Sequence, residues 1–475
     1  MGRRWAPAAA AVAAGVLVAP EPAAAHGLVG RADLPIPEWL FGWAAAVVLI
    51  VSFAALALLW QEPKLEGKDQ FRPLPEGLSY ALVNTATEVF AGLVGVGLLV
   101  LTIYAGLAGV QSPQANFGPT FIYVVFWVGL VPASILFGDV FRAFNPWRAI
   151  ARSAGWVTSR VAGPLPTPFR YPERLGRWPA ALGLLGFAWI ELAYTNGDDP
   201  STLAVAALVY TAITLLAIAC FGTEAWIARG EAFSVYFNLF SRISPVELRD
   251  GRLGLRPPLA ALTRLEPARG TIPLLVVMIG TVAFDGASEG RPWTDMAPDI
   301  QDFFTSIGFS LGTALELTFT VGMLIGLALV AAIYLLGIVG VRTVDGRPFG
   351  KVAQSYMHTL VPIAAAYVIA HYFSLLAYNG QAIAYLASDP LGEGSDLFGT
   401  ADATIDYGVI GATAIWYVQV GVLVAGHVCG LVLAHDRALA LYGKARAATT
   451  SQYWMLAVMV AFTTGGLFLL SQANQ

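Results

Sequence analysis

Apolar residues run through this chain in long unbroken blocks, not in the short alternations of strands or soluble helices. After Pro37 the blocks fall at about 38–60, 84–110, 119–138, 178–195, 201–222, 271–284, 309–341, 352–378, 409–434 and 453–471. Most reach the about 20 residues that a helix needs to cross the hydrocarbon core of a bilayer. The pattern predicts an all-α fold, a polytopic transmembrane bundle of about ten spans. An eleventh apolar stretch, Ala8 to Val18, is shorter; Arg3 and Arg4 precede it and Ala23-Ala24-Ala25 follows, the pattern of a secretory signal peptide cleaved after Ala25. Residues 1–25 are thus expected to be removed, leaving 26–475 as a single transmembrane helical domain.

Composition agrees, since 57% of the 475 residues are hydrophobic and only 12% charged, about half the charged share of an ordinary soluble domain. The distribution of charge says more than its net value of -4. The connections at 61–83, 139–177, 223–270, 342–351 and 435–452 hold 23 of the 27 Lys and Arg, whereas the opposite connections hold only Arg31 and Arg291. The positive-inside rule therefore puts the basic connections in the cytoplasm and both mature termini outside, a multi-pass membrane arrangement. Fourteen acids, Asp285 among them, fall in the outer segments and would concentrate cations there. The partner this implies is the lipid bilayer; nothing points to nucleic acid.

Two basic-side junctions look alike. Phe137-Gly138-Asp139 leads to Phe144-Asn145, and Phe221-Gly222-Thr223-Glu224 leads to Phe237-Asn238, a short match that hints at duplication. The arginine-rich loops after them are expected to lie on the inner leaflet through pieces such as Phe233 to Ile243.

Candidate chemistry concentrates between Lys351 and Arg437, which hold four of the five histidines. Ionisable side chains at membrane depth are costly and mark functional sites by default. His358 and His427 are expected at similar depth on consecutive spans, so that they share one ligand, a copper or zinc ion or a single haem. Pro362 weakens the helix beside His358, and Gly421, Gly426 and Gly430 leave room near His427 for a neighbouring helix or a flat cofactor. His26 at the mature amino terminus offers an imidazole and an α-amine to a copper-like ion. Toward the outer side, Gly308-Phe309-Ser310-Leu311-Gly312 spells G-x-S-x-G. Ser310 and His371 would form a Ser-His dyad there, with Glu191 or Glu316 to orient a base, bind a cation or relay protons.

Three stretches carry a family resemblance: His26-Gly27-Leu28-Val29-Gly30-Arg31-Ala32-Asp33-Leu34-Pro35-Ile36-Pro37, the run F-G-D-V-F-R-A-F-N-P-W-R from Phe137 to Arg148, and G-H-V-C-G-L-V-L-A-H-D-R-A-L from Gly426 to Leu439. Through them the mature chain resembles bacterial integral membrane proteins termed fenitrothion hydrolases. The resemblance implies a bacterial inner-membrane protein that cleaves a small-molecule substrate, an organophosphate triester, in a complex with a second membrane subunit, and it assigns no catalytic residue. Three readings stand: a phosphotriester hydrolase using His371, Ser310 and Glu191; a copper or haem protein using His26, His358 and His427; and an ion- or proton-coupled transporter with a moving part at the broken eighth helix.

Overall fold

The computed structural model describes residues 38–67, 70–163, 168–342 and 346–472; the signal-peptide segment and His26 lie outside them. The described chain is a helical bundle. Eight of its helical segments are long and apolar enough to cross a membrane, and Trp178–Leu192 is a shorter apolar helix. We label the principal helices α1 (Glu38–Leu59), α2 (Thr85–Ala108), α3 (Leu130–Phe137), α4 (Pro146–Val161), α5 (Trp178–Leu192), α6 (Pro200–Phe221), α7 (Ala232–Ser241), α8 (Thr271–Ser288), α9 (Arg291–Ser306), α10 (Leu311–Arg342), α11 (Phe349–Tyr356), α12 (Leu360–Tyr378), α13 (Ala412–Tyr442) and α14 (Ala445–Gln472).

Most of the apolar segments bury little of themselves, and large side chains such as Leu58, Phe90, Leu93, Leu216 and Leu311 project outward, as they would toward lipid. Two segments differ. The apolar window of Phe349–Ser388 is 72% buried and that of Thr271–Ser288 is 67% buried, against 22–44% for the other six. The bundle is built around α12 and α8. Close packing on α12 depends on glycine: a Cβ at Gly426 would lie 2.3 Å from the Ala366 Cβ and 2.7 Å from the Pro362 carbonyl oxygen, so α13 meets α12 backbone to backbone. Where Pro362 withholds its N–H, the helix is interrupted by a 3-10 turn, Met357–Thr359, that carries His358.

At the basic end, α3 and α6 both stop at a glycine with positive φ, Gly138 at 87° and Gly222 at 84°, where a side chain would be strained. A short helix follows each, then a new N-cap: the Asn145 side chain accepts from the Arg148 N–H, and Glu231 accepts from the Phe233 and Ser234 N–H groups. The two junctions touch, with Asn145 Nδ2 donating to the Ser234 hydroxyl at 2.8 Å. The equivalent of Asn145 is therefore Glu231, not Asn238. Glu231 also accepts from Tyr210 and is fully buried, and desolvation pushes its carboxyl above the ordinary range. The helix expected to lie on the leaflet is instead inside: nine of the ten residues of α7 are buried, because both its faces are aromatic or small.

The same end carries a three-stranded sheet. Strands β2 (Val246–Arg249) and β3 (Arg252–Leu255) form a hairpin, and β1 (Arg72–Pro73) adds to β3. Asp250 and Gly251 turn the hairpin with φ of 50° and 77°, the backbone that Asp-Gly favours in two-residue loops. At the opposite end, acids form turns. Asp389 accepts from Glu393, Gly394 and Ser395, and the Ser388 hydroxyl holds the Asp396 carboxyl below its usual range.

Candidate functional site

The site grows from the two most buried segments. α8 does not end at Phe284 as its apolar run does; Asp285-Gly286-Ala287-Ser288 continue it for a further turn, with Asp285 bonded inside the bundle to side chains of α12. Asp285 is consequently drawn inside, 2% exposed, and is not one of the outer surface acids. Its Oδ2 sits 2.8 Å from His371 Nε2 and accepts from the Tyr372 hydroxyl at 2.7 Å. With the carboxylate ionised, Nε2 carries the ring proton and Nδ1 holds the lone pair. Gly286 lies against that Nδ1, a Cβ there being 3.4 Å away.

His371 also lines a cavity of about 790 Å³ between α8, α9, α10, α12, α13 and α14. Its walls are apolar and rich in glycine; Trp293, Gly322, Gly326 and Phe462 are among them. Trp293 packs edge-on to Phe284 at 5.1 Å and to Phe319 at 5.8 Å, and Gly322 makes the space for it, since a Cβ there would fall 2.3 Å from the indole. One imidazole, held by a buried carboxylate, thus faces a lipophilic chamber of the size used for small-molecule sites, about 300–1,000 Å³.

Glu191 sits partly buried on α5, which packs against α8, and it is outside the cavity wall. Ser310 stands apart as well. It is exposed and caps α10, its hydroxyl accepting from the Thr313 N–H at 3.2 Å, and it is absent from the cavity wall. Glu316 is tied to Thr195 at 2.7 Å. The G-x-S-x-G run is therefore a helix start, and the partner of His371 is Asp285.

His358 and His427 are both buried, each with an Nε2 that has no hydrogen-bond partner among the described residues. Their depths differ. The Thr359 carbonyl lies beside Gly430 and the Pro362 carbonyl beside Gly426, a register that sets His358 level with Leu431 and His427 level with Val361. The offset is about one turn, 5–6 Å at 1.5 Å per residue. His427 donates from Nδ1 to the Leu423 carbonyl at 2.8 Å and packs against Tyr367 and Phe462, whereas Arg437 acts on His358. Gly426 and Gly430 are covered by α12 itself, so no flat cofactor fits between the two helices there, and among the described residues no three His, Cys, Asp or Glu groups gather as metal ligands. Stability losses from His358→Ala and His427→Ala are expected to add within about 0.5 kcal/mol, as for sites without shared partners. Thermal unfolding of both single variants and the double variant in detergent measures this, and a double variant no worse than either single would restore a shared ligand.

His435 and Asp436 have a different role. His435 Nε2 donates to the Trp60 carbonyl at 2.9 Å and Nδ1 meets Gln452 at 3.2 Å. Asp436, fully buried, accepts from the Trp60 indole and from the backbone N–H groups of Lys64, Leu65 and Glu66. Together they clasp the connection after α1 to the end of α13.

Sequence reasoning missed Asp285 and Tyr372. No local signal gave them away: Asp285-Gly286 reads in sequence as a turn, as Asp250-Gly251 is, and only the tertiary structure carries the helix on to Ser288. No family model, curated protein or solved structure matches the chain.

Proposed function

We propose that the chain is an integral membrane hydrolase of uncharged, lipophilic esters, with organophosphate triesters the class its resemblance implies. The observation that carries this reading is the buried Asp285–His371 pair opening on an apolar cavity of about 790 Å³. A base held in one tautomer by a carboxylate can take a proton from water as that water attacks an electrophilic phosphorus or carbonyl. No protein nucleophile is required, in keeping with the position of Ser310. A charged substrate would lose its hydration against these walls, whereas a neutral ester with an apolar body is stabilised by them.

The reading is tested by supplying a neutral aryl dialkyl phosphate to the purified protein in lipid nanodiscs and following release of the phenol. Ala461→Trp, at an exposed position on the cavity wall, should abolish both release and binding. Release that survives this substitution would place the chemistry elsewhere.

We further infer ten crossings of a bacterial inner membrane, with a cleaved signal peptide, the basic end cytoplasmic and both mature termini outside. The support is the 23-to-2 distribution of Lys and Arg in the mature chain. Reporter fusions after residues 150, 250 and 345 should read cytoplasmic, and fusions near 295 and 395 external. A basic connection that reads external would overturn the orientation.

A further inference from the structure

The chamber at His371 has one buried wall and one exposed wall. On the first, Val282, Ala370 and His371 are 3%, 2% and 6% exposed. On the second, Ile325 and Leu329 of α10 and Ala457, Ala461 and Gly465 of α14 line the same space, and all five are exposed. Their neighbours Leu324 and Ala328 on α10 are exposed too but are not part of the lining. The lining therefore passes directly into the outward face of the bundle.

Glycine contacts explain why α10 and α14 leave this gap. At the basic end the two helices are pinned together: the Trp454 indole N–H donates to the Leu336 carbonyl at 2.9 Å, and Gly340 makes room for the ring, a Cβ there falling 2.1 Å from Trp454 Cδ1. Beyond that point each leans on a different neighbour. α10 is drawn to α8, where a Cβ at Gly280 would lie 3.0 Å from Leu327 and one at Gly326 would lie 3.1 Å from Phe284. α14 is drawn to α12 and α1, where a Cβ at Gly466 would lie 2.5 Å from the Tyr367 hydroxyl and one at Gly42 would lie 3.3 Å from Thr464. Small residues permit each of these close approaches. At the acidic end α9 packs on α10 and supplies Pro292, Trp293 and Met296 to the lining, while its Asp295, Asp299 and Asp302 are exposed. The helix thus turns an apolar face to the chamber and a charged face away from it.

We infer that the chamber is loaded sideways from the bilayer, through the gap between α10 and α14, and that its ligand is an ester carried in the lipid phase on an apolar chain. This rests on the reading of the chamber as the ester site. Among the described residues no Asp, Glu, Lys or Arg lines the chamber, so a ligand arriving from water would be stripped of its hydration at an apolar mouth with nothing to replace it. A ligand already dissolved in the membrane moves between two apolar surroundings, and the bilayer has concentrated it beforehand. Its ester group reaches the imidazole on the buried wall, and its chain trails back through the gap toward lipid.

Photolabelling of the full chain in nanodiscs tests this with a long-chain alkyl methyl ether bearing a diazirine, an uncharged probe that contains no ester to cleave. Mass spectrometry should find the label on the buried wall, at Val282 and Ala370, as well as on the outward face at Leu324 and Ala328. A charged, water-soluble diazirine should leave the buried wall unlabelled. Gly465→Trp, at a position where a Cβ meets nothing within 4 Å, should lower labelling of the buried wall at least tenfold with the outward face still labelled, whereas Leu324→Trp should leave both unchanged. Label confined to the outward face of the wild type, a buried wall reached only by the water-soluble reagent, or labelling that Gly465→Trp does not reduce would each overturn the inference. No turnover is needed, so a protein that cleaves no ester ends the hydrolase reading while the labelling still decides the route.

Discussion

Replacing His371 by alanine should lower turnover of an uncharged phosphotriester, the substrate class proposed for this site, about 100-fold or more, the loss typical of a missing general base, while ligand binding should stay within a few-fold. The division follows from the geometry. The cavity walls are apolar and hold the body of the ligand, and His371 contributes one edge of an imidazole to them. Asp285→Asn should be almost as damaging: the amide keeps the shape, but it offers Nε2 either a donor or a neutral acceptor, and the ring loses the tautomer that leaves Nδ1 free. Tyr372→Phe removes one hydrogen bond to Asp285 and should cost less, about tenfold, since a single bond to a charged group is worth about 1.5–3 kcal/mol of which only part is realised in the transition state. Ser310→Ala should leave the rate within twofold, because its hydroxyl serves only the start of α10. Steady-state kinetics and equilibrium binding on the four purified variants separate these effects. Full turnover in His371→Ala would remove the pair from the reaction altogether.

The largest stability loss is expected far from the cavity, at Asp436. Its carboxylate is fully buried and accepts four hydrogen bonds, three of them from consecutive backbone N–H groups of the connection after α1. Alanine would orphan all four donors at once. Each buried donor left without an acceptor costs about 1–3 kcal/mol, and water entering at the membrane edge recovers part of it, so we expect a net loss of about 3–5 kcal/mol. Thermal unfolding in detergent, read by tryptophan emission, measures it, and limited proteolysis should cut first near residues 61–67. Asp436→Asn retains one acceptor oxygen and should cost roughly half as much. A loss below about 1 kcal/mol for the alanine variant would mean that the connection is held by other contacts, among them the Arg437–Glu66 pair at 2.6 Å.

The two predictions divide the histidine-rich region differently from the way its spacing suggests. Read along the chain, His358, His371, His427 and His435 look like one ligand set on two neighbouring spans. In the fold they face four environments. His371 meets a carboxylate from α8, His427 packs behind Tyr367, His358 lies in the 3-10 turn near Arg437, and His435 holds the connection after α1. Spacing along a helix sets which residues share a face, but not which neighbour that face meets.

What the sequence determined by itself is what one dimension carries: the all-α class, the positions of the apolar helices, the break at Pro362, the glycine stops at Gly138 and Gly222, and the sorting of charge between the two ends. Those features are local, since bilayer thickness, ring geometry at proline and the missing Cβ of glycine act on a residue whatever its partners. The tertiary structure decided the rest. It carried α8 one turn past its apolar run, which moved Asp285 from the acidic surface to His371, 86 residues away. It buried α7, which looked amphipathic, and it set α12 against α13 in a register that offsets His358 and His427 by a turn. Each of these depends on which helix faces which, and that is settled by packing glycine against backbone and by finding a partner for every buried polar group, conditions that only the assembled bundle can satisfy.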